Sequence, residues 1–170
     1  MLARLRRLLR HRWVDDADLR RTLPAKVLAS LQAQVAASEQ RHSGEICLHI
    51  ETGLPWRAVW RGTTARERAV ALFGKLRVWD TEHNNGVLIY LLWADQAIEI
   101  VADRGLNLRV DTAGWRALAV QMSTAFKAGR FEAGLVAAVD HVDALLREHF
   151  ALGAVERNPN ELPDQPVVIG

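Results

Sequence analysis

The stretch Gly86-Val87-Leu88-Ile89-Tyr90-Leu91-Leu92-Trp93-Ala94-Asp95-Gln96-Ala97-Ile98-Glu99-Ile100-Val101-Ala102-Asp103 decides the fold. Val87 to Leu92 is apolar without interruption and short, the signature of a strand covered on both faces. Ala94-Asp95-Gln96 is a tight connection. Beyond it Ile98, Ile100 and Ala102 alternate on one side, which reads as a second strand antiparallel to the first. Pairing Leu92 with Ala97 sets a register in which Asp103 stands opposite Gly86.

Upstream, residues 45–51 carry Ile46, Leu48 and Ile50 and read as another strand. Between it and the hairpin, Thr64-Ala65-Arg66-Glu67 has capping-box spacing and opens a helix carrying Ala65, Ala69, Leu72, Phe73 and Leu76. A strand–helix–strand order predicts parallel pairing through a right-handed crossover. Thr52 to Gly62, with Gly53, Pro55 and Gly62, reads as loop. An earlier helix starts near Pro24 with Thr22 as cap, shows Leu23, Val27, Leu31 and Val35, and ends around residues 42–44. Two more helices follow the hairpin, one on Trp115, Leu118, Ala119, Met122 and Phe126, the other on Leu135, Ala138, Val139, Val142, Leu145 and Leu146. The order predicts an α/β fold, a three-layer α/β/α sandwich with a small mixed sheet.

Composition bounds the rest. With 170 residues, 49% of them hydrophobic, the chain is long enough for one domain and too apolar for disorder. The charge is uneven. Residues 1–13 hold Arg4, Arg6, Arg7, Arg10 and Arg12 with no acid, and removing those five from a net +2 leaves −3 for the remainder. The chain divides into a basic amphipathic arm (1–21), an α/β/α domain (22–150) and a proline-containing tail (151–170). In the arm Leu2, Leu5, Leu8 and Leu9 share one side of a short helix and the arginines the other. Docking onto the domain is its simplest role. A protein-partner arm is the next reading, and a membrane-surface helix the least favoured, since so short a helix buries little. The mildly acidic domain offers no nucleic-acid face. A single Cys47 excludes a disulfide framework and reads as a small buried residue. No transmembrane run or signal-peptide h-region is present, so a cytoplasmic protein is expected.

Enzyme signatures fail in turn. No glycine-rich phosphate loop follows a strand, and no serine sits in a nucleophile elbow. His49-x-Glu51 lacks the paired cysteines of a deaminase. His141 and His149 share a helix with no acidic third partner, which makes them ordinary helix histidines. One constellation survives through topology. The hairpin register brings the turn Glu82-His83-Asn84-Asn85 to the end of the last strand at Asp103, while Glu45 begins the parallel neighbour at the same end. Glu45, Glu82, Asn84, Asn85 and Asp103 are therefore candidate metal ligands, with Asp80 just outside. Carboxylates and amide carbonyls are the hard oxygen donors that suit Ca²⁺ or Mg²⁺. The competing reading is structural: Asn-Asn-Gly is a common turn, Asp103 can cap one, and Arg104 can pair with Glu82 or Asp80.

Trp79 to Leu92, followed by Ile98-Glu99-Ile100-Val101-Ala102-Asp103-Arg104-Gly105, resembles the TPM-domain family. Resemblance to its small cytosolic bacterial subgroup extends to Ser43-Gly44-Glu45-Ile46, Arg66-Glu67-Arg68-Ala69, Trp115, Phe126, Gly129-x-Phe131 and Asn160-Glu161-Leu162-Pro163-Asp164, covering about residues 22–166. The resemblance implies an α/β/α sandwich, divalent-cation binding, often of Ca²⁺, and in some members weak acid phosphatase activity. Of the candidate ligands, Asp103 and Asn85 lie within the shared elements, and no catalytic motif transfers. Secreted members differ in having a signal peptide, a C-terminal membrane span and a Gly-rich tail, so their role in membrane-protein repair is not expected here. The expected function is a non-enzymatic binding or assembly module with a divalent-cation edge. The alternative is a weak metal-dependent phosphatase using that edge.

Overall fold

The computed structural model describes residues 2–153 and 155–169. The outermost positions of the arm and tail, Met1 and Gly170, and Ala154 lie outside it. In chain order the elements are α1 (Leu2–Trp13), α2 (Asp16–Thr22), α3 (Ala25–Glu39), β1 (Ile46–Glu51), α4 (Trp56–Arg61), α5 (Ala65–Lys75) and β2 (Val87–Leu92). They continue with β3 (Ala97–Ala102), α6 (Arg104–Asn107), α7 (Thr112–Lys127), α8 (Phe131–Phe150) and β4 (Val167–Ile169).

The sheet order is β3-β2-β1-β4. β2 is antiparallel to β3 with Leu92 opposite Ala97, the register expected from the short turn, and parallel to β1 with Ile46 opposite Val87. Every residue of β2 is fully buried, which explains why its side chains are apolar apart from the Tyr90 hydroxyl, which finds a buried partner in Glu51. Alternation then sorts the two faces. Ile46, Leu48, Ile50, Val87, Ile89 and Leu91 pack against α3, α7 and α8. Cys47, Leu88, Tyr90, Leu92 and Val101 face α4 and α5. The sheet thus lies between two helical layers, the predicted sandwich. Thr64 and Glu67 form both hydrogen bonds of the capping box that starts α5.

Four local readings are corrected. β4 adds a fourth strand, parallel to β1, within the stretch read as tail; three residues directly after Pro166 carry too little pattern to announce it. Trp56–Arg61 is a helix rather than loop, opened by Pro55 and closed by Gly62 at φ +81°. The acidic stretch Asp15–Asp18, which in sequence reads as a loop or a single helical turn, opens the seven-residue α2, capped by the Asp15 side chain. α3 begins directly after Pro24, with Thr22 ending α2 instead of capping α3, and it stops at Glu39.

α1 docks, but by its polar side. Arg7 makes a two-nitrogen hydrogen bond to the Asp95 carboxylate (Nε 3.0 Å and Nη2 2.7 Å to Oδ2), and Arg10 pairs with the same group. The buried His11 accepts the Leu54 N–H at Nδ1 (2.9 Å), which leaves its ring proton on Nε2, 3.1 Å from Asp95 Oδ1. Burial works against the Asp95 charge, but the His11 ring and then Arg7 outweigh it and hold the carboxyl far below its ordinary range. Leu8 alone of the four leucines joins the core, while Leu2, Leu5 and Leu9 are exposed. Among the described residues no helix is long and apolar enough to cross a membrane.

Removing the Asp95 carboxylate leaves Arg7 and His11 without their shared anion. Asp95→Ala should cost ~2 kcal/mol, less than losing one partner of a fully buried pair because the carboxylate is only partly buried. Urea unfolding measures this, and limited proteolysis should show cleavage after the α1 arginines in the variant first.

Candidate functional site

One end of the sheet gathers the candidate ligands. Val87 N–H donates to the Glu45 carbonyl (2.8 Å) and Asp103 N–H to the Gly86 carbonyl (2.9 Å), so Glu45, Gly86 and Asp103 stand in a row across β1, β2 and β3. Gly86 must lack a side chain, because a Cβ there would collide with the Val78 carbonyl oxygen. Gly105 has the same constraint, its α-carbon lying under the His83 and Asn84 carbonyls. The Asn84 amide oxygen accepts from the Arg104 guanidinium (3.2 and 3.3 Å), and Asn84 takes the left-handed conformation at φ +52°, which asparagine tolerates. Asn-Asn-Gly and Asp-Arg-Gly therefore form one interlocked corner: each glycine admits a neighbouring backbone, and Arg104 ties the two together.

The predicted residues divide by environment. Glu45 and Asn85 are fully buried and Asp103 nearly so, whereas Glu82 is exposed. Asp103 Oδ1 caps α6 through Arg104 N–H (2.7 Å), and Glu45 Oε2 accepts from Leu162 N–H (3.1 Å). Asn85 Nδ2 donates to Ser43 Oγ (3.2 Å). The remaining oxygens, Glu45 Oε1, Asn85 Oδ1 and Asp103 Oδ2, are buried and accept no hydrogen bond. Asp80 pairs with Arg77 instead, and Arg104 bonds Asn84 rather than Glu82 or Asp80.

A family model of the TPM domain matches residues 17–145. The chain belongs to the TPM-domain family. The NMR structure of BA42 protein from the psychrophilic bacterium Bizionia argentinensis is similar, with a TM-score of 0.73 and 26% sequence identity over 85% of this chain and 93% of that one. No curated protein sequence matches significantly.

Around its predicted ligands this TPM domain adds groups that sequence reasoning missed. Glu39, the last residue of α3, is buried; its Oε1 accepts from Ile46 N–H (2.9 Å) and its Oε2 has no donor. The Asn158–Asp164 segment straps this end. Asn158 Nδ2 donates to the His42 and Gly44 carbonyls (3.0 and 3.1 Å), and the Glu161 carboxylate accepts from Glu82 N–H (3.2 Å). Burial, then the charges of Glu45 and Asp164, push the Glu39 carboxyl up to about 9 against the downward pull of the Ile46 hydrogen bond. Glu45 is raised in the same sense, chiefly by burial. Among the described residues, no three Asp, Glu, His or Cys side chains gather as a metal-holding group. One signal for Glu39 was available: an acid in the last turn of a helix opposes the helix dipole and asks for a reason.

A further buried carboxylate, Glu51, is fully employed. Glu51 accepts two hydrogen bonds from Arg68 (2.9 and 2.7 Å) and one from Tyr90 (2.7 Å). His49, which neighbours it on β1, is buried with neither ring nitrogen bonded, and burial lowers its pKa, favouring the neutral ring. Cys47 is buried, and its thiol is pushed up to about 11, which makes it unreactive.

Two outcomes check this description. Gly86→Ala should destabilise by about 3 kcal/mol through overpacking against Val78, read by chemical denaturation. Glu39 holds its proton in the folded state while the unfolded chain ionises near 4.5, so its contribution is complete below that pH and is lost as pH rises toward 9. Thermal melting at about pH 5 and about pH 8.5 should show a fall in stability that is smaller in Glu39→Gln. An equal fall in both proteins would contradict the raised carboxyl.

Proposed function

We propose that this TPM domain is a non-enzymatic binding module whose sheet edge takes a divalent cation, Ca²⁺ or Mg²⁺. The observation that supports it is the set of buried oxygens without donors, Glu45 Oε1, Asn85 Oδ1 and Asp103 Oδ2, at one end of adjoining strands. A buried acceptor left unpaired costs about 1–3 kcal/mol, and a hard cation is one species that would offset this. The donors suit such an ion in kind. Because no three carboxylates converge, an ion there would draw on the Asn85 amide oxygen and on water as well as on carboxylates. Asn84 and Glu82 are weaker candidates, the first bonded to Arg104 and the second exposed. The raised carboxyls make the proton a competitor, so affinity should increase with pH.

The phosphatase alternative has less support. Glu45 is held in a protonation-prone setting rather than beside an activated nucleophile, and the nearby Arg104 guanidinium is engaged by Asn84. Calorimetric titration with Ca²⁺ and Mg²⁺ at about pH 6 and about pH 8 decides the cation reading. Binding should be tighter at the higher pH and lost in Asp103→Asn and Glu45→Gln; no heat from the wild-type protein at either pH would return the corner to turn chemistry. Cation-dependent turnover of a generic phosphate ester that disappears in Asp103→Asn would replace the binding module with the enzyme.

A further inference from the structure

α1 is inverted relative to an ordinary surface helix, which hides its apolar stripe and shows its charges. Here Arg7, Arg10 and His11 point inward to Asp95. At 100° per residue Leu2, Leu5, Leu9 and Trp13 fall within an arc of about 80°, roughly opposite the arc that carries Arg7 and His11. Arg6 and Arg12 lie at the two borders of that stripe, and both are exposed. The neighbouring α4, which packs against α1, adds Trp56 and Trp60, one helical turn apart, with Arg57 over the Trp56 ring. These six apolar side chains are between 44 and 78% exposed, although removing each from water would be favourable.

Charge and side-chain type select the occupant. Neither α1 nor α4 contains an acid, so a second copy would bring two sets of arginines together with nothing to offset them. Leucine and tryptophan on a convex helix, bordered by arginines, match the chemistry of an anionic bilayer surface. There tryptophan rings sit at headgroup depth and arginines meet lipid phosphates. A single short helix anchors weakly, and the α4 tryptophans supply the second signal that such anchoring needs. We infer that the α1–α4 face docks this domain on an anionic lipid surface, with the Asp95 latch holding the stripe outward before contact. This face adjoins the Asp95 turn, at the opposite end of β2 from the cation edge, so the two readings stand or fall separately.

Co-sedimentation of the full chain with vesicles tests the inference. Vesicles of phosphatidylcholine containing about a third phosphatidylglycerol should bind it, phosphatidylcholine alone should bind it far less, and high salt should release it. Leu5→Glu/Trp13→Glu should reduce the bound fraction at least about tenfold with melting temperature unchanged, since both side chains are exposed. Trp56→Ser/Trp60→Ser should weaken binding as well and guards against misfolding of the first variant. Equal partition into both vesicle types, or variants that bind like the wild type, would overturn the proposal. So would a dimer, seen by light scattering, that these substitutions dissolve.

Discussion

A strand covered on both faces can carry only apolar side chains or polar groups that find a buried partner, and β2 meets that constraint with five apolar residues and Tyr90, whose hydroxyl bonds Glu51. Two helical layers are required to cover it, β1 and β3 must flank it, and all nearby chemistry is pushed to its two ends. Interactions at those ends have opposite characters. At the Asp95 turn a partly buried carboxylate is matched by two guanidinium groups and an imidazole. At the Gly86 end, Glu39, Glu45, Asn85 and Asp103 are buried with oxygens to spare.

That contrast separates architecture from candidate function. Glu51 and Asp95 have partners for their charge, and such groups hold elements in place. Glu39 answers its burial by holding its proton, and burial shifts the Glu45 carboxyl in the same direction. A group that must be neutralised by a proton can also be neutralised by a cation, so the same desolvation that raises these carboxyls makes the edge responsive to ions. The Gly86 and Gly105 contacts explain why the motif has its spelling: the two glycines permit backbone approach, and the asparagines and Asp103 serve the turn formed there.

Much of the sheet could be read from residues because the information was local. A four-residue turn, Trp93–Gln96, set the hairpin register, which carried Asp103 to its place beside Gly86. Capping-box chemistry marked α5 because both partners lie within one turn. What escaped depends on distant partners. The leucine spacing of α1 shows that the helix has an apolar side, but which side meets the domain is decided by Asp95, 88 residues beyond Arg7. Glu39 and the strap meet across more than a hundred residues, and the α4 helix and β4 strand are too short for periodicity to reveal.

The strap and β4 also impose an order of assembly. His49 pairs with Val167 and Glu45 receives the Leu162 N–H, so both contacts close a loop of well over a hundred residues. Closure of such loops is entropically costly and is favoured only once other packing exists. The hairpin, α5 and the α7–α8 pair rely on nearer contacts and can form while the chain is still being synthesised. Glu45 therefore begins as a hydrated carboxylate and loses its water when residues 158–169 close over the edge. Loop-closure cost therefore places the burial of Glu45 late in folding, and the rise of its carboxyl pKa belongs to that step.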